Sequence, residues 1–275
     1  DGGPGFPDPQ RKDPPVLGLM APHIDLLRGG KAYAHAYKVL AEAEPADLYI
    51  ILGVAHAGSE NPFIVTYKDF LTPLGRAETD KEFVRKLQER CSWDLLTNEI
   101  AHRTEHSIEF QILFLQHLLQ PRKPFHIVPI LLGSFHDFMM TKDSLAEEPV
   151  LKEFIAALST GIKELEGKQR VCIIASVDLS HVGQRFGDRQ ELTPEFLETV
   201  ESQDRLFIQH VLQKDSRALS DMILKERDWR KVCGFPALYV FSRILPASPG
   251  ELLDYQQWVD PPSGCSVSFA SAVFR

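Results

Sequence analysis

The chain has 275 residues, 44% hydrophobic and 25% charged, an ordinary globular balance that excludes disordered, collagenous or fibrous classes. Thirty Lys+Arg against 38 Asp+Glu give a net charge of −8, which argues against a nucleic-acid binder and its basic stripe. No run of 18 apolar residues is present to cross a membrane as a helix.

Residues 1–15, rich in Gly, Pro and charge, read as an extended tail or the end of a longer chain, and a single folded domain is expected over 16–275. An apolar run at 16–20 is followed by a loop through Gly29-Gly30 and a helix over 31–44, which Pro45 stops. Further strands are expected at 47–52, 62–66, 125–132 and 171–176, and helices at 80–91, 105–119, 150–165, 194–213 and 236–244. Alternation of strands with helices of about 10–15 residues predicts crossover units. Near-continuous apolar strands predict a sheet covered on both faces. Residues 251–258 and 266–274, joined by Pro-Pro-Ser-Gly, read as an antiparallel pair. The fold class is therefore α/β, with a mixed, mainly parallel central sheet and helices on both faces.

Parallel sheets place functional groups just past the carboxyl ends of their strands. Four expected strands are each followed within a few residues by a histidine: His23, His56, His136 and His181. Imidazole is the commonest transition-metal ligand, and a metal needs several converging donors. Cys233, in Val-Cys-Gly-Phe-Pro236, stands just before an expected helix, where amide donors and the helix dipole favour a thiolate. Cys172 lies within a strand and reads as a small buried hydrophobe, and Cys91 and Cys265 read as structural. The four cysteines share no short spacing such as C-x-x-C, so reduced thiols and a cytoplasmic setting are expected.

At the start of the 105–119 helix, Glu105, His106 and Glu109 fall on neighbouring turns, either as a solvated first turn or as a set turned into a pocket, with Thr104 a plausible N-cap. Asp178-Leu-Ser-His181 offers a carboxylate that can orient an imidazole. No Gly-x-Ser-x-Gly elbow supports a serine hydrolase. Arg28-Gly-Gly-Lys31 could hold an anion but lacks phosphate-loop spacing, and reads better as a flexible turn and cap.

In this order, Ala-Pro-His23, Leu-Gly-x-x-His56, Glu-His106-Ser-Ile-Glu109, Ser-x-Asp178-Leu-Ser-His181 and Cys233-Gly resemble the Memo family. That family includes the prokaryotic proteins called AmmeMemoRadiSam system protein B, and the likeness runs from about residue 16 to the C-terminus. It is similar in fold to class III extradiol dioxygenases of the LigB type, whose non-haem iron is held by two histidines and a glutamate. The resemblance implies a metal position surrounded by His23, His56 and Cys233, with Cys233 where the dioxygenases use Glu. It further implies His181 as an acid–base group and His106 lining the same pocket.

A thiolate in place of a carboxylate is softer and itself oxidisable, so ring-cleaving activity is not inherited with the fold. The leading expectation is a mononuclear His/His/Cys site holding one transition-metal ion, Fe(II) first with Cu or Zn open, in a dioxygenase-like oxidoreductase. The rivals are a binding module that uses the cleft for a ligand or phosphopeptide, and a zinc-dependent hydrolase. The resemblance also implies pathway partners, a radical-SAM protein and an AMMECR1-like protein.

Overall fold

The computed structural model describes residues 2–120, 122–141, 145–246 and 248–275. The described elements run β1 (Gly18–Ala21), α1 (Leu26–Glu42), β2 (Leu48–Val54), β3 (Phe63–Val65), β4 (Phe70–Thr72), β5 (Gly75–Thr79) and α2 (Lys81–Glu89). They continue with α3 (His106–Leu118), β6 (His126–Leu132), α4 (His136–Thr141), α5 (Pro149–Leu165), β7 (Val171–Ser176) and β8 (His181–Gly183). The chain ends through α6 (Pro194–Gln213), α7 (Ser216–Glu226), α8 (Phe235–Ile244), β9 (Gly250–Asp260) and β10 (Cys265–Phe274).

The described strands form one ten-stranded sheet, in the order β4-β5-β6-β2-β7-β1-β10-β8, with β3 also on β6 and β9 on β10. From β5 to β1 neighbouring strands are parallel; β3, β4, β8, β9 and β10 pair antiparallel. The reason for the parallel core is visible in β2. Leu48, Ile50 and Leu52 enter one core, while Tyr49 and Ile51 enter the other. Side chains alternate across a strand, so a strand apolar at every position must be covered on both faces. On one face α1 and α3 supply the cover, with Tyr37, Leu40, Ile112 and Leu115; on the other it comes from α2, α5, α6, α7 and α8. Proline in the first turn marks the starts of α5, α6 and α8, where its missing N–H costs nothing.

One sequence expectation changes here. Helix α1 begins before the Gly29-Gly30 pair, which therefore is no loop. Asp25 caps it, its carboxylate accepting from the N–H groups of Leu27 and Arg28. Gly29 is needed inside the helix for space, since a Cβ there would lie 2.6 Å from Cγ2 of Ile24. Residues 2–15 form no regular element but lie against the domain: Asp13 bridges to Ala43, and Pro4 C=O accepts from Lys38 Nζ at 2.6 Å. No helix among the described residues is long and apolar enough to cross a membrane.

The end of β2 is fixed to the first turn of α3. Ser107 Oγ accepts from Val54 N–H at 3.0 Å and donates to Val54 C=O at 3.1 Å. Gly53 permits this approach, because a Cβ there would stand 2.6 Å from Ser107 Oγ and 2.8 Å from Ile108 Cγ1. Gly53→Ala is therefore expected to cost about 1–3 kcal/mol, as overpacked cores do. Urea unfolding of the two proteins measures it, and an unchanged midpoint would show that α3 can back away freely.

Candidate functional site

Strands β2, β7 and β1 are adjacent and parallel, with Leu52 opposite Ala175 and Ser176 opposite Ala21. Two to four residues beyond those pairs the chain reaches His56, Asp178 and His23. The register alone brings them to one edge of the sheet. Asp178 is buried and accepts from the backbone N–H groups of His23 (3.0 Å) and Ile24 (3.2 Å), with its second oxygen 3.6 Å from His23 Nε2. Burial pushes its carboxyl above the usual range, and those N–H groups and His181 pull it partly back.

His23 is only 2% exposed, and its Nδ1 lies 2.9 Å from the Ser176 carbonyl. A carbonyl can only accept, so Nδ1 carries the proton and Nε2 keeps the lone pair. Burial, then the neighbouring His56, lower the His23 pKa to about 3, so the ring is neutral. His56 is arranged in the same way. Its Nδ1 lies 2.9 Å from Glu105 Oε1, and its backbone N–H donates to Oε2 at 3.0 Å. Burial raises the Glu105 pKa, but the bonds from the ring and backbone of His56 outweigh it and hold the carboxyl down at about 2. The carboxylate therefore accepts from Nδ1–H of His56, and Nε2 is the ring nitrogen left without that bond.

Glu105, rather than Thr104, is the N-cap of α3, accepting from Ser107 N–H at 3.1 Å. Its neighbour His106 stacks on His56 with ring centroids 5.0 Å apart and meets His23 edge-on at 5.7 Å. Glu109 turns away to the exposed surface beside β4. Gln111, passed over in the sequence, ties the layers together beneath the histidines. It donates to Pro22 C=O (2.8 Å) and Ser176 Oγ (2.7 Å) and accepts from Tyr37. Its signal was a glutamine on the buried side of an apolar helix.

Cys233 approaches from the loop before α8. Gly234 N–H donates to Asp178 C=O, and the Cys233 sulfur lies 3.7 Å from that oxygen and 3.5 Å from His23 Nε2. Donor atoms of His23, His56 and Cys233 all lie within 4.8 Å of one another. The thiolate expected from the helix end is not favoured in the ion-free protein: burial pushes the thiol well up, and the Asp178 carboxylate adds to this. Only a nearby cation reverses that balance.

His181 begins β8 and lines the same cavity, but its Nδ1 partner is the Leu179 carbonyl at 3.1 Å. Asp178 is occupied by the His23–Ile24 backbone, so it does not orient His181 by a hydrogen bond. The short turn aims the carboxylate back along β1 instead. Burial lowers the His181 pKa, against the pull of Asp178. His136 does not join the others: it starts α4 on an exposed turn.

The cavity holds about 390 Å³. Besides the histidines and Asp178, its wall includes Phe110, Arg185, Phe186, Trp258 and Cys265, none of which carried a motif signal in the sequence. All four cysteines are free.

Fold and site define an α/β protein with imidazoles and a thiol gathered at the carboxyl edge of a parallel sheet core. A sequence profile of the family described as Memo-like protein matches residues 6–273, and the chain belongs to that family. A MEMO1 family protein of Aquifex aeolicus is 32% identical over 260 residues, 94% of this chain; the chain spans 63% of that relative's length. A MEMO1 family protein of Thermococcus kodakarensis is 31% identical over 265 residues, 93% of this chain and 86% of its own. Among solved structures, an uncharacterized protein from Escherichia coli K12 gives a TM-score of 0.47 at 15% identity, covering 94% of this chain and 100% of that one.

Proposed function

We propose that the protein is a metal-dependent oxidoreductase of dioxygenase type, with one ion held by His23, His56 and Cys233. The observation that carries this reading is the hydrogen-bond pattern of the two rings. Both imidazoles spend Nδ1–H on fixed oxygens, Ser176 C=O and the Glu105 carboxylate, which leaves Nε2 as the ring nitrogen an ion would take. Metal-ligating histidines are oriented in this way, and a thiol whose sulfur stands 3.5 Å from one of those nitrogens completes a two-nitrogen, one-sulfur donor set. That set suits Fe(II), Cu or Zn rather than Mg or Ca.

When bound, the ion would supply redox chemistry and polarise a coordinated oxygen. The remaining work falls to the protein. Glu105 and Ser176 hold the two rings in one tautomer. His181, kept neutral by burial and fixed through Leu179, can take a proton at Nε2 but cannot donate one first, so it enters as a base. His106, stacked on His56 and partly exposed, is placed to hydrogen-bond an incoming ligand at the cavity mouth.

Metal analysis of anaerobically purified protein tests the site. About one ion per chain is expected, falling roughly tenfold or more in His56→Ala and in Cys233→Ser. Unchanged metal content in both variants would remove the site from consideration. Oxygen uptake with a panel of catechols then separates an oxygenase from a protein that only binds ligands in the cleft.

A further inference from the structure

Large apolar side chains left exposed gather at the β4 edge of the sheet. Leu71 (82% exposed) and Leu74 (50%) stand on the β4–β5 hairpin, and Ile100 (71%) on the short turn Glu99–Arg103. Leu71 and Ile100 line one hollow of about 620 Å³, whose buried end is formed by Thr72, His102 and Glu105. This hollow shares no lining residue with the cavity that holds the histidines and Asp178. Contiguous exposed apolar surface with a charged rim marks an interaction site. Strand addition is not the mode, because β4 is three residues long and Pro73 follows it at once, the features that blunt a sheet edge. Side-chain packing is what this face offers.

The charges around the hollow select the partner. Asp69 is already paired, with Lys81 at 3.5 Å and Arg76 at 3.7 Å. Glu99 accepts from Thr66 Oγ1 at 2.6 Å and from Tyr67 N–H at 3.3 Å, and Glu105 serves His56 and Ser107. Three charged side chains on the rim remain: Lys68, Arg103 and Glu109 are exposed and make no hydrogen bond or ion pair with any described residue. A nucleic acid, an anionic membrane or an acidic peptide would meet the two cations but repel Glu109. A basic peptide would do the reverse. The same face turned by a two-fold axis meets both signs, since in such an interface residue i touches j and j touches i. The apolar part obeys the same rule: protruding Leu71 and Ile100 beside a hollow are knob and hole on one surface.

We infer that this face is the interface of a symmetric dimer, in which Leu71 and Ile100 of each copy pack into the hollow of the other and Arg103 of each copy meets Glu109 of the other. The chain's net charge of −8 opposes association, so a dissociation constant on the order of 10 μM is expected. The inference makes no use of the metal reading and stands without it.

Sedimentation velocity of the purified protein between about 1 and 200 μM tests it, with a reversible shift from monomer to dimer expected over that range. Leu71→Glu and Ile100→Glu each weaken the dimer roughly 10-fold or more, because each sets a charge in the apolar centre of the interface. Leu206→Glu, at an exposed apolar position on α6, changes the dissociation constant less than about twofold. Charge reversal is the sharper test. Arg103→Glu and Glu109→Arg each place like charges opposite one another and weaken the dimer roughly 10-fold, whereas the double variant restores the pairing and returns to within about threefold of the wild type. Helical content by circular dichroism, unchanged in all five variants, shows that the loss lies in association rather than folding. A monomer at every concentration would overturn the inference and leave the face to a different protein. So would growth beyond a dimer, an association that survives Leu71→Glu and Ile100→Glu, or a double charge reversal no tighter than its single variants.

Discussion

Replacing Arg230 by alanine is expected to cost about 3–5 kcal/mol of stability, the size of effect seen when one partner of a buried ion pair is removed. Arg230 is fully buried, and its Nη1 donates to Asp204 and to Ser180 Oγ, while Nε and Nη2 donate to Glu226. Burial lowers its pKa, but Glu226 and Asp204 more than offset this and keep the guanidinium charged. Asp204 also accepts from Ser180, Ser268 and Tyr255. Without Arg230 that carboxylate stays buried with hydroxyl donors alone, which is the origin of the cost. The pair also matters to the site. His181 N–H donates to the Arg230 carbonyl at 2.7 Å, and the loop leading to Cys233 holds Arg227, Asp228 and Lys231 in the left-handed region. Non-glycine residues persist there only when surrounding contacts over-determine them. Urea denaturation of the wild type, Arg230→Ala and the double variant Arg230→Met/Asp204→Asn measures the effect, with the double variant expected to recover a substantial part. A single-variant loss under about 1 kcal/mol would show that water enters and solvates Asp204.

The parts of the molecule that could be read from sequence are those whose pattern is local. Runs such as Leu-Tyr-Ile-Ile-Leu declare a two-faced strand because both odd and even positions are apolar, and the prolines at α5, α6 and α8 mark helix starts without tertiary help. The histidines after β1 and β2 were legible for the same reason, since a parallel register puts equivalent positions side by side. His136 followed the same pattern and failed, because the chain after β6 turns into α4 before the ring can reach the edge. The β4–β5 hairpin, with charges at Arg76 and Glu78, and the polar helix α7 gave no apolar periodicity strong enough to predict. Hydrogen-bond partners were least visible. Asp178 sits three residues from His181, which suggested an orienting pair, yet the bond it makes spans 155 positions to His23. Arg185 and Trp258 belong to one cavity wall only because β8 and β9 both pair with β10.

Glu105→Gln is expected to weaken metal binding roughly 10- to 100-fold while the protein still folds, as changes to groups that orient metal ligands do. The carboxylate serves three donors with two oxygens: His56 Nδ1 and Ser107 N–H on Oε1, and His56 N–H on Oε2. Glutamine offers one oxygen and one NH₂, so whichever way the amide turns, an N–H of His56 or Ser107 faces another donor. The cheapest relief is for the His56 ring to rotate, which takes Nε2 away from the cluster, or to change tautomer, which puts a proton on Nε2 where an ion would bind. Charge acts in the same direction, because the anionic carboxylate makes the His56 ring a stronger electron donor and an amide does not. The pH response supplies a second readout. With its pKa held at about 2 against an ordinary value of 4.5, Glu105 contributes stability that is present above the ordinary value and lost as pH falls through about 2. Acid unfolding of the ion-free wild type should therefore show a loss in that window that Glu105→Gln lacks. Metal affinity measured by competition with a chromophoric chelator decides the main point: a Gln variant that binds as tightly as the wild type would mean that His56 is held by its backbone alone, and that the carboxylate is a helix cap and nothing more.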